Sequence, residues 1–268
     1  MSFQPILPMG GFVGWSFLQR TMDTQLEAHA RAPDRVRDID HFRDRIADVR
    51  TVDELVEDRR MRRVMLGAFG LQDDIDNIHF IKRVIGDGTE ARDALANRLS
   101  DKRYLALAEA FSFPPDVETP FADPDFADRI ADAFQRRSFE VAVGQQNEDM
   151  RLAMTLEREL PELSAAGRSD SANWFSVMGN PPLRKVFETA FGFGSGFGAL
   201  DIDQQLVQFR RRAQALFGTS ELADLAAPER REELTRRFLV MAQAREFAQA
   251  SSSASTALTL LQNAAARR

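Results

Sequence analysis

The sequence predicts an all-α protein made of two related helical units packed as a multi-helix array. Three observations predict it. Apolar residues recur at three- and four-residue spacing almost throughout, the period of one helix face. No segment sustains the two-residue alternation with β-branched residues that marks a strand. The stretch Met61–Asp76 (MRRVMLGAFGLQDDID) also has an echo at Leu183–Asp203 (LRKVFETAFGFGSGFGALDID). Both copies run from an apolar residue, two bases and Val to Ala-Phe-Gly, and then to Asp-Ile-Asp. The second copy carries five extra residues, mostly glycine, before its Asp-Ile-Asp.

The elements follow in order. Trp15, Leu18, Met22 and Leu26 form one stripe, and Val36, Ile39, Phe42, Ile46 and Val49 form the next. Pro33 sits where a first-turn proline is tolerated. Thr51 with Glu54 is a capping box opening a short helix with Leu55 and Val56. Asp58 caps the helix striped by Met61, Val64, Met65, Ala68 and Phe69, and Gly70 ends it in a left-handed conformation. Asp74 is placed to cap a helix carrying Ile78, Ile81, Val84 and Ile85, which Gly86-Asp87-Gly88 stops. Thr89 and Ser100 open two further helices, the second with Tyr104, Leu107 and Phe111.

Pro114, Pro115, Pro120 and Pro124 then interrupt the pattern. Proline cannot continue a helix and pushes its predecessor out of the α region, so this stretch reads as a linker. Beyond it, Phe126, Ile130, Phe134 and Val141 mark a long helix broken at Gly144. Met150, Ala153, Met154 and Leu160 mark another that ends near Pro161. Trp174–Met178 is a short apolar turn or helix, and the second AFG helix follows Pro181-Pro182. Pro228 opens a long helix with Leu234, Phe238, Met241 and Phe247. The organisation expected is helical unit 1 over residues 1–112, a proline-rich linker over 113–124, helical unit 2 over 125–248, and a flexible tail over 249–268 with a short amphipathic segment. A repeat unit that cannot bury its apolar face alone would pack on its copy.

Composition narrows the function classes. The 268 residues are 44% apolar, enough for a sizeable core. A net charge of −6 disfavours a general nucleic-acid coat. With no cysteine there is no disulfide, no thiolate metal site and no thiol nucleophile. No apolar run reaches the roughly 18–20 residues of a bilayer span. The opening MSFQPILPMGGF lacks a basic start and carries Pro and Gly in its apolar part, so it does not read as a cleaved signal. The expected location is the cytoplasm unless a signal-free export route takes the protein.

Each chemical motif has a bland counterpart. Asp73, Asp74 and Asp76, echoed by Asp201 and Asp203, offer the oxygens a hard cation wants, but carboxylates at helix starts serve as caps. Gly192, Gly194, Gly196 and Gly198 resemble a phosphate loop, yet they follow a helix and lack the Lys-Ser/Thr of a nucleotide site. Their interleaved Phe193 and Phe197 suit contact with a protein partner, and Arg210, Arg211 and Arg212 extend that candidate surface. The cluster Arg59, Arg60, Arg62 and Arg63 is diluted by neighbouring acids, which favours ion-paired helix faces over nucleic acid. His29, His41 and His79 have no partner at ligand spacing and read as solvated or half-buried helix residues. No catalytic constellation, cofactor motif or metal site emerges.

Several stretches resemble the DUF1217 family of bacterial proteins of unknown function. They are Leu55–Asp58 (LVED), Val64–Leu71 (VMLGAFGL) and Leu95–Tyr104 (LANRLSDKRY), then Val143–Ala153 (VGQQNEDMRLA), Pro181–Val186 (PPLRKV) and Leu200–Gln205 (LDIDQQ). The resemblance covers about residues 14 to 245. It departs at Phe193–Gly198, where the family pattern has a proline-containing turn. It implies no catalytic residues. It does imply a setting, because the family is associated with flagellar gene clusters of alphaproteobacteria. The function expected is therefore a non-enzymatic accessory or structural protein of flagellar assembly or motility that acts by protein–protein contact. Two alternatives stand beside it: an enzyme with a metal-assisted acidic site built from Asp74, Asp76, Asp201 and Asp203, and a nucleic-acid-associated regulator using the arginine clusters.

Overall fold

The chain folds as helices that pack about one long shared helix. The computed structural model describes the backbone of residues 3–113 and 121–265, and their side chains except at 124 and 249–265. Among the described residues there are α-helices and 3-10 turns and no strand. The first seven helices are α1 (Gly11–Ala30), α2 (Pro33–Ile46), α3 (Val52–Glu57), α4 (Arg59–Ala68), α5 (Ile78–Gly86), α6 (Leu95–Arg98) and α7 (Arg103–Ala110). The next four are α8 (Pro124–Gly144), α9 (Glu148–Ala165), α10 (Asp170–Met178) and α11 (Pro181–Phe191). The last three are α12 (Ile202–Phe217), α13 (Leu222–Ala226) and α14 (Pro228–Ala265). Short 3-10 turns at Gln72–Asp74 and Phe197–Ala199 follow α4 and α11.

Many ends lie where local chemistry puts them. Thr51 Oγ1 accepts from the Glu54 amide at 3.2 Å, while Glu54 reaches back to the Arg50 amide at 2.8 Å. Asp58 Oδ1 accepts from the amides of Arg60 and Met61 and so caps α4. Pro33 opens α2, and α8 ends at Gly144. Helices α4 and α11 end alike, on glycines with positive φ: 69° at Gly70 and 74° at Gly192. In each, the following amide bonds back five residues: Leu71 N to Leu66 O, and Phe193 N to Glu188 O, both 2.9 Å. Only glycine enters that conformation without a Cβ penalty.

Other local expectations fail. Asn77, not Asp74, stands at the start of α5; Asp74 lies one turn earlier, inside the 3-10 turn. Its carboxylate instead takes hydrogen bonds from Asn77 Nδ2 (2.6 Å) and Tyr104 OH (2.6 Å). Helix α9 runs through Pro161 to Ala165. The proline forfeits one backbone bond, a loss that the buried Leu160 and the Leu163 packed against the core offset. Helix α14 stays helical through Ser251–Ser255 rather than giving way to a flexible tail, because no Gly or Pro follows Pro228 to stop it.

The tertiary packing redraws the two units. One core gathers α2 to α5, α7 and the first half of α8, around Phe42, Val64, Met65, Ile81 and Phe111. The other gathers α1, the end of α8 and α9 to α14, around Trp15, Trp174, Phe187, Phe209 and Phe238. Helix α8 therefore serves both, through Phe126, Ile130 and Phe134 on one side and Phe139 and Val143 on the other. At about 100° per residue these stripes lie roughly half a turn apart. The expected boundary at 113–124 thus does not separate the two cores: α1 precedes it yet joins the second core, and the start of α8 follows it yet joins the first. Residues 114–120 lie outside the described residues. Phe121, just beyond them, is buried and stacks on Phe126 at 5.1 Å between centroids, so the chain is anchored as it enters α8. Helix α4 approaches α8 closely because Gly67 faces the Phe134 ring; a Cβ at Gly67 would lie 2.6 Å from it.

Candidate functional site

The candidate surface on the second AFG turn is the place to begin. Gly192 turns the chain out of α11, and the glycine-rich insert folds back over the core. Phe193 and Phe197 stack face to face, 4.0 Å apart and 5° from parallel. Both then meet Phe209 edge-on, at 5.3 and 5.1 Å. Phe197 is buried at 8% exposure, and Phe193 is half-buried against the same core. The two phenylalanines are therefore packing residues, a correction to the expectation of an open partner surface. The reason is that Phe209 on α12 supplies an aromatic floor that nothing in the local sequence reveals.

The three arginines of α12 separate. Arg210 donates to Asp170 Oδ2 (2.5 Å) and Ser171 Oγ (3.1 Å), and Asp170 also accepts from the Leu222 amide, tying α12 to α10 and α13. Arg212 Nε donates to Phe191 O (2.8 Å), one of the last carbonyls of α11. Arg211 is exposed and makes no polar contact among the described residues. Beside its exposed polar residues, the α12 region also exposes apolar ones: Leu200 at 39%, Ile202 at 49% and Val207 at 61%.

In the other arginine cluster only Arg62 is buried, while the exposed Arg59, Arg60 and Arg63 face carboxylates of the same chain. Arg62 is 3% exposed, with its guanidinium bonded to the carbonyls of Ile75 and Val56. Arg63 pairs with Asp38 at 2.5 Å, and Arg59 with Asp76 at 3.0 Å. The first Asp-Ile-Asp thus has both carboxylates engaged, Asp74 by Tyr104 and Asp76 by Arg59. Burial, then the bond to Asp74, raises the Tyr104 hydroxyl above its ordinary pKa. In the second copy, Asp201 precedes α12 without a side-chain cap bond and Asp203 lies in its first turn, both exposed. Among the described residues no group of three or more His, Asp or Glu side chains is placed to hold a metal ion.

The histidines fall into different settings. His41 Nε2 lies 2.6 Å from Asp58 Oδ2. His29 is fully buried, against the half-buried or solvated expectation. It packs edge-on to Phe139 (5.4 Å) and Phe3 (6.2 Å), and its Nε2 lies 3.2 Å from Ser138 Oγ. Its Nδ1 is sealed from solvent with no hydrogen-bond partner. Burial, then the nearby Arg35 cation, lowers its pKa from 6.5 to about 4, so the ring is neutral at pH 7. The same corner holds the N-terminal segment. There the buried Gln25 side chain accepts from the Ile6 amide and donates to the Ile6 carbonyl, and Gln146 Nε2 donates to Pro5 O.

A polar seam runs along α8 and α9. Arg158 grips Glu140 with two hydrogen bonds (2.7 and 2.9 Å) and touches Glu159 at 3.0 Å. Glu159 also accepts from Asn180 Nδ2 (2.5 Å) and pairs with Arg137 (3.1 Å). Burial opposes the charge on Arg158, but Glu140 and Glu159 outweigh it and raise its pKa. Three cavities open beside this seam, of about 510, 760 and 470 Å³. Sequence spacing gave no sign of the seam, whose members come from α8, α9 and the N-cap of α11.

Among the described residues, no helix is long and apolar enough to cross a membrane. No curated protein matches the chain. A crystal structure of a protein from Agrobacterium tumefaciens, determined by a structural genomics consortium, is similar at 24% identity and a TM-score of 0.72. The match covers 90% of this chain and 99% of that one. The likeness shows a shared all-helical fold. A family model described as a protein of unknown function, DUF1217, matches residues 68–230, more than half of the chain. By that match, which takes in the AFG turns and the polar seam, the chain belongs to the DUF1217 family.

Proposed function

We propose that this protein is a non-enzymatic accessory or structural component linked to bacterial flagellar assembly or motility, acting through protein–protein contacts in the cytoplasm or at the flagellum. The observation that carries the reading is the resemblance, over the six quoted stretches, to a family associated with flagellar gene clusters. The contact surface belongs to the α12 region, where Leu200, Ile202 and Val207 are exposed beside Arg211, rather than to the inward-turned Phe193 and Phe197. An engaged Asp74 and Asp76 weigh against the acidic-site enzyme, and an internally bonded Arg62 and Arg63 weigh against the nucleic-acid regulator.

The proposal includes descent of the two AFG passages from one ancestral unit. Their support is the shared order of basic-faced helix, left-handed glycine, 3-10 turn and helix. A deletion strain should show short, absent or poorly driven flagella, restored by the wild-type gene and not by a Val207→Glu variant that still folds. Normal flagella and normal swimming in the deletion strain would refute the proposal.

A further inference from the structure

The 470 Å³ cavity between α2, α4 and α8 is lined by Arg35, Arg63 and Arg137, with Asp34, Asp38, Ser138 and the amides of Gln72 and Gln145. Its charges are not mutually satisfied. Asp38 is taken by Arg63 at 2.5 Å, with Arg60 at 3.9 Å. Asp34 is exposed, so its charge is screened by solvent. Arg35 makes no hydrogen bond or ion pair among the described residues, and its Nη1 is sealed from solvent without an acceptor. Burial lowers the pKa of this guanidinium, and the neighbouring Asp34 charge opposes that shift without overcoming it.

Arg137 is little better served. Its side chain is 19% exposed and meets a single carboxylate oxygen, Glu159 Oε1, which Arg158 also uses. Desolvation and the Arg158 charge lower its pKa too. A guanidinium has five N–H donors in a fixed fork. Arg137 is also the one residue that lines all three cavities along the seam, among the described residues. Two under-paired, half-buried guanidinium groups on one half-open cleft favour the arrival of an acceptor.

We propose that this cavity binds a small oxyanion, the phosphate or carboxylate group of a metabolite-sized ligand, between Arg35 and Arg137. The volume falls within the range usual for small-molecule sites. Planar forks match the oxygens of carboxylate and phosphate in a bidentate way, which a lysine pair would not do. The amides of Gln72 and Gln145 provide neutral donors at the rim. Small turns of the two arginine side chains on ligand entry would give Arg35 Nη1 its missing acceptor.

The test is calorimetric titration of the full chain, at low ionic strength, with inorganic phosphate and separately with succinate. Wild type is compared with Arg35→Gln, Arg137→Gln and, as a remote control, Arg211→Gln. Saturable binding of at least one probe is expected, and the better probe tells a phosphate-bearing from a carboxylate-bearing ligand. Arg35→Gln and Arg137→Gln should weaken it at least tenfold, and Arg211→Gln should leave it unchanged. Arg35→Gln breaks no ion pair, so its ligand-free melting temperature should match or exceed that of wild type; if Arg137→Gln fails to fold, Arg35→Gln decides alone. No saturable heat with either probe up to about 10 mM, or equal binding by wild type and Arg35→Gln, overturns the proposal.

Discussion

Replacing His29 by glutamine should remove much of the acid sensitivity of this fold. The folded ring is fully buried, and its pKa lies near 4 against 6.5 for a free imidazole. The unfolded chain therefore binds a proton through pH 6.5 while the folded chain refuses it until about pH 4. Stability from this group is complete above pH 6.5, falls as the pH drops, and levels off below about 4. The difference of about 2.5 units sets a ceiling of about 3 kcal/mol, of which about 2 kcal/mol is lost by pH 5. Urea unfolding of wild type and His29→Gln at pH 7.5, 6, 5 and 4.5 reads this directly. Carboxylates common to both proteins cancel in the difference. Wild type should lose about 2 kcal/mol more than the variant between pH 7.5 and 5. Parallel stability–pH curves for the two proteins would refute the reasoning, because the burial of a neutral ring would then have no linkage to folding.

Three further outcomes are expected. Arg158→Met should destabilise by about 3–5 kcal/mol, since it leaves the buried Glu140 carboxylate unpaired, and adding Glu140→Leu should recover most of the loss in urea melts. Phe197→Ala should cost about 3 kcal/mol through the stack it makes with Phe193 and Phe209, whereas a surface contact residue would cost less than about 0.5 kcal/mol. Gly192→Ala should cost about 1–2 kcal/mol because its φ is 74°, while Gly196→Ala, at φ −77° with open space around it, should be neutral or slightly stabilising in thermal melts.

Much of the local architecture was legible in the chain. The caps at Thr51 and Asp58, the first-turn Pro33 and the left-handed Gly70 all stand where their residue chemistry places them, since each acts on backbone groups within three or four residues. Asp74 and Pro161 went the other way. Tyr104, thirty residues on, offered Asp74 a better partner than the amides of α5, and core packing held α9 together across its proline. The candidate surface misled for a related reason. Phe193 and Phe197 sit in a glycine-rich turn that reads as exposed, and only the arrival of Phe209 makes them core. His29 carried no sequence signal at all, because its burial depends on Phe3, Phe139 and Ser138 from distant parts of the chain.

The sequence by itself determined that the chain is helical, where most helices begin and stop, and which family it joins, because helix period and capping are short-range properties of the backbone. Only the tertiary structure decided that α8 is shared by both cores and that α1 crosses to the second. It alone decided that the buried Arg62 meets backbone carbonyls, that Arg158 meets carboxylates along the α8–α9 seam, and that Arg35 and Arg137 are left short of acceptors. Those outcomes depend on how apolar stripes from separate helices meet, and on which charges are stranded when they do. No stretch of residues in sequence encodes that alone.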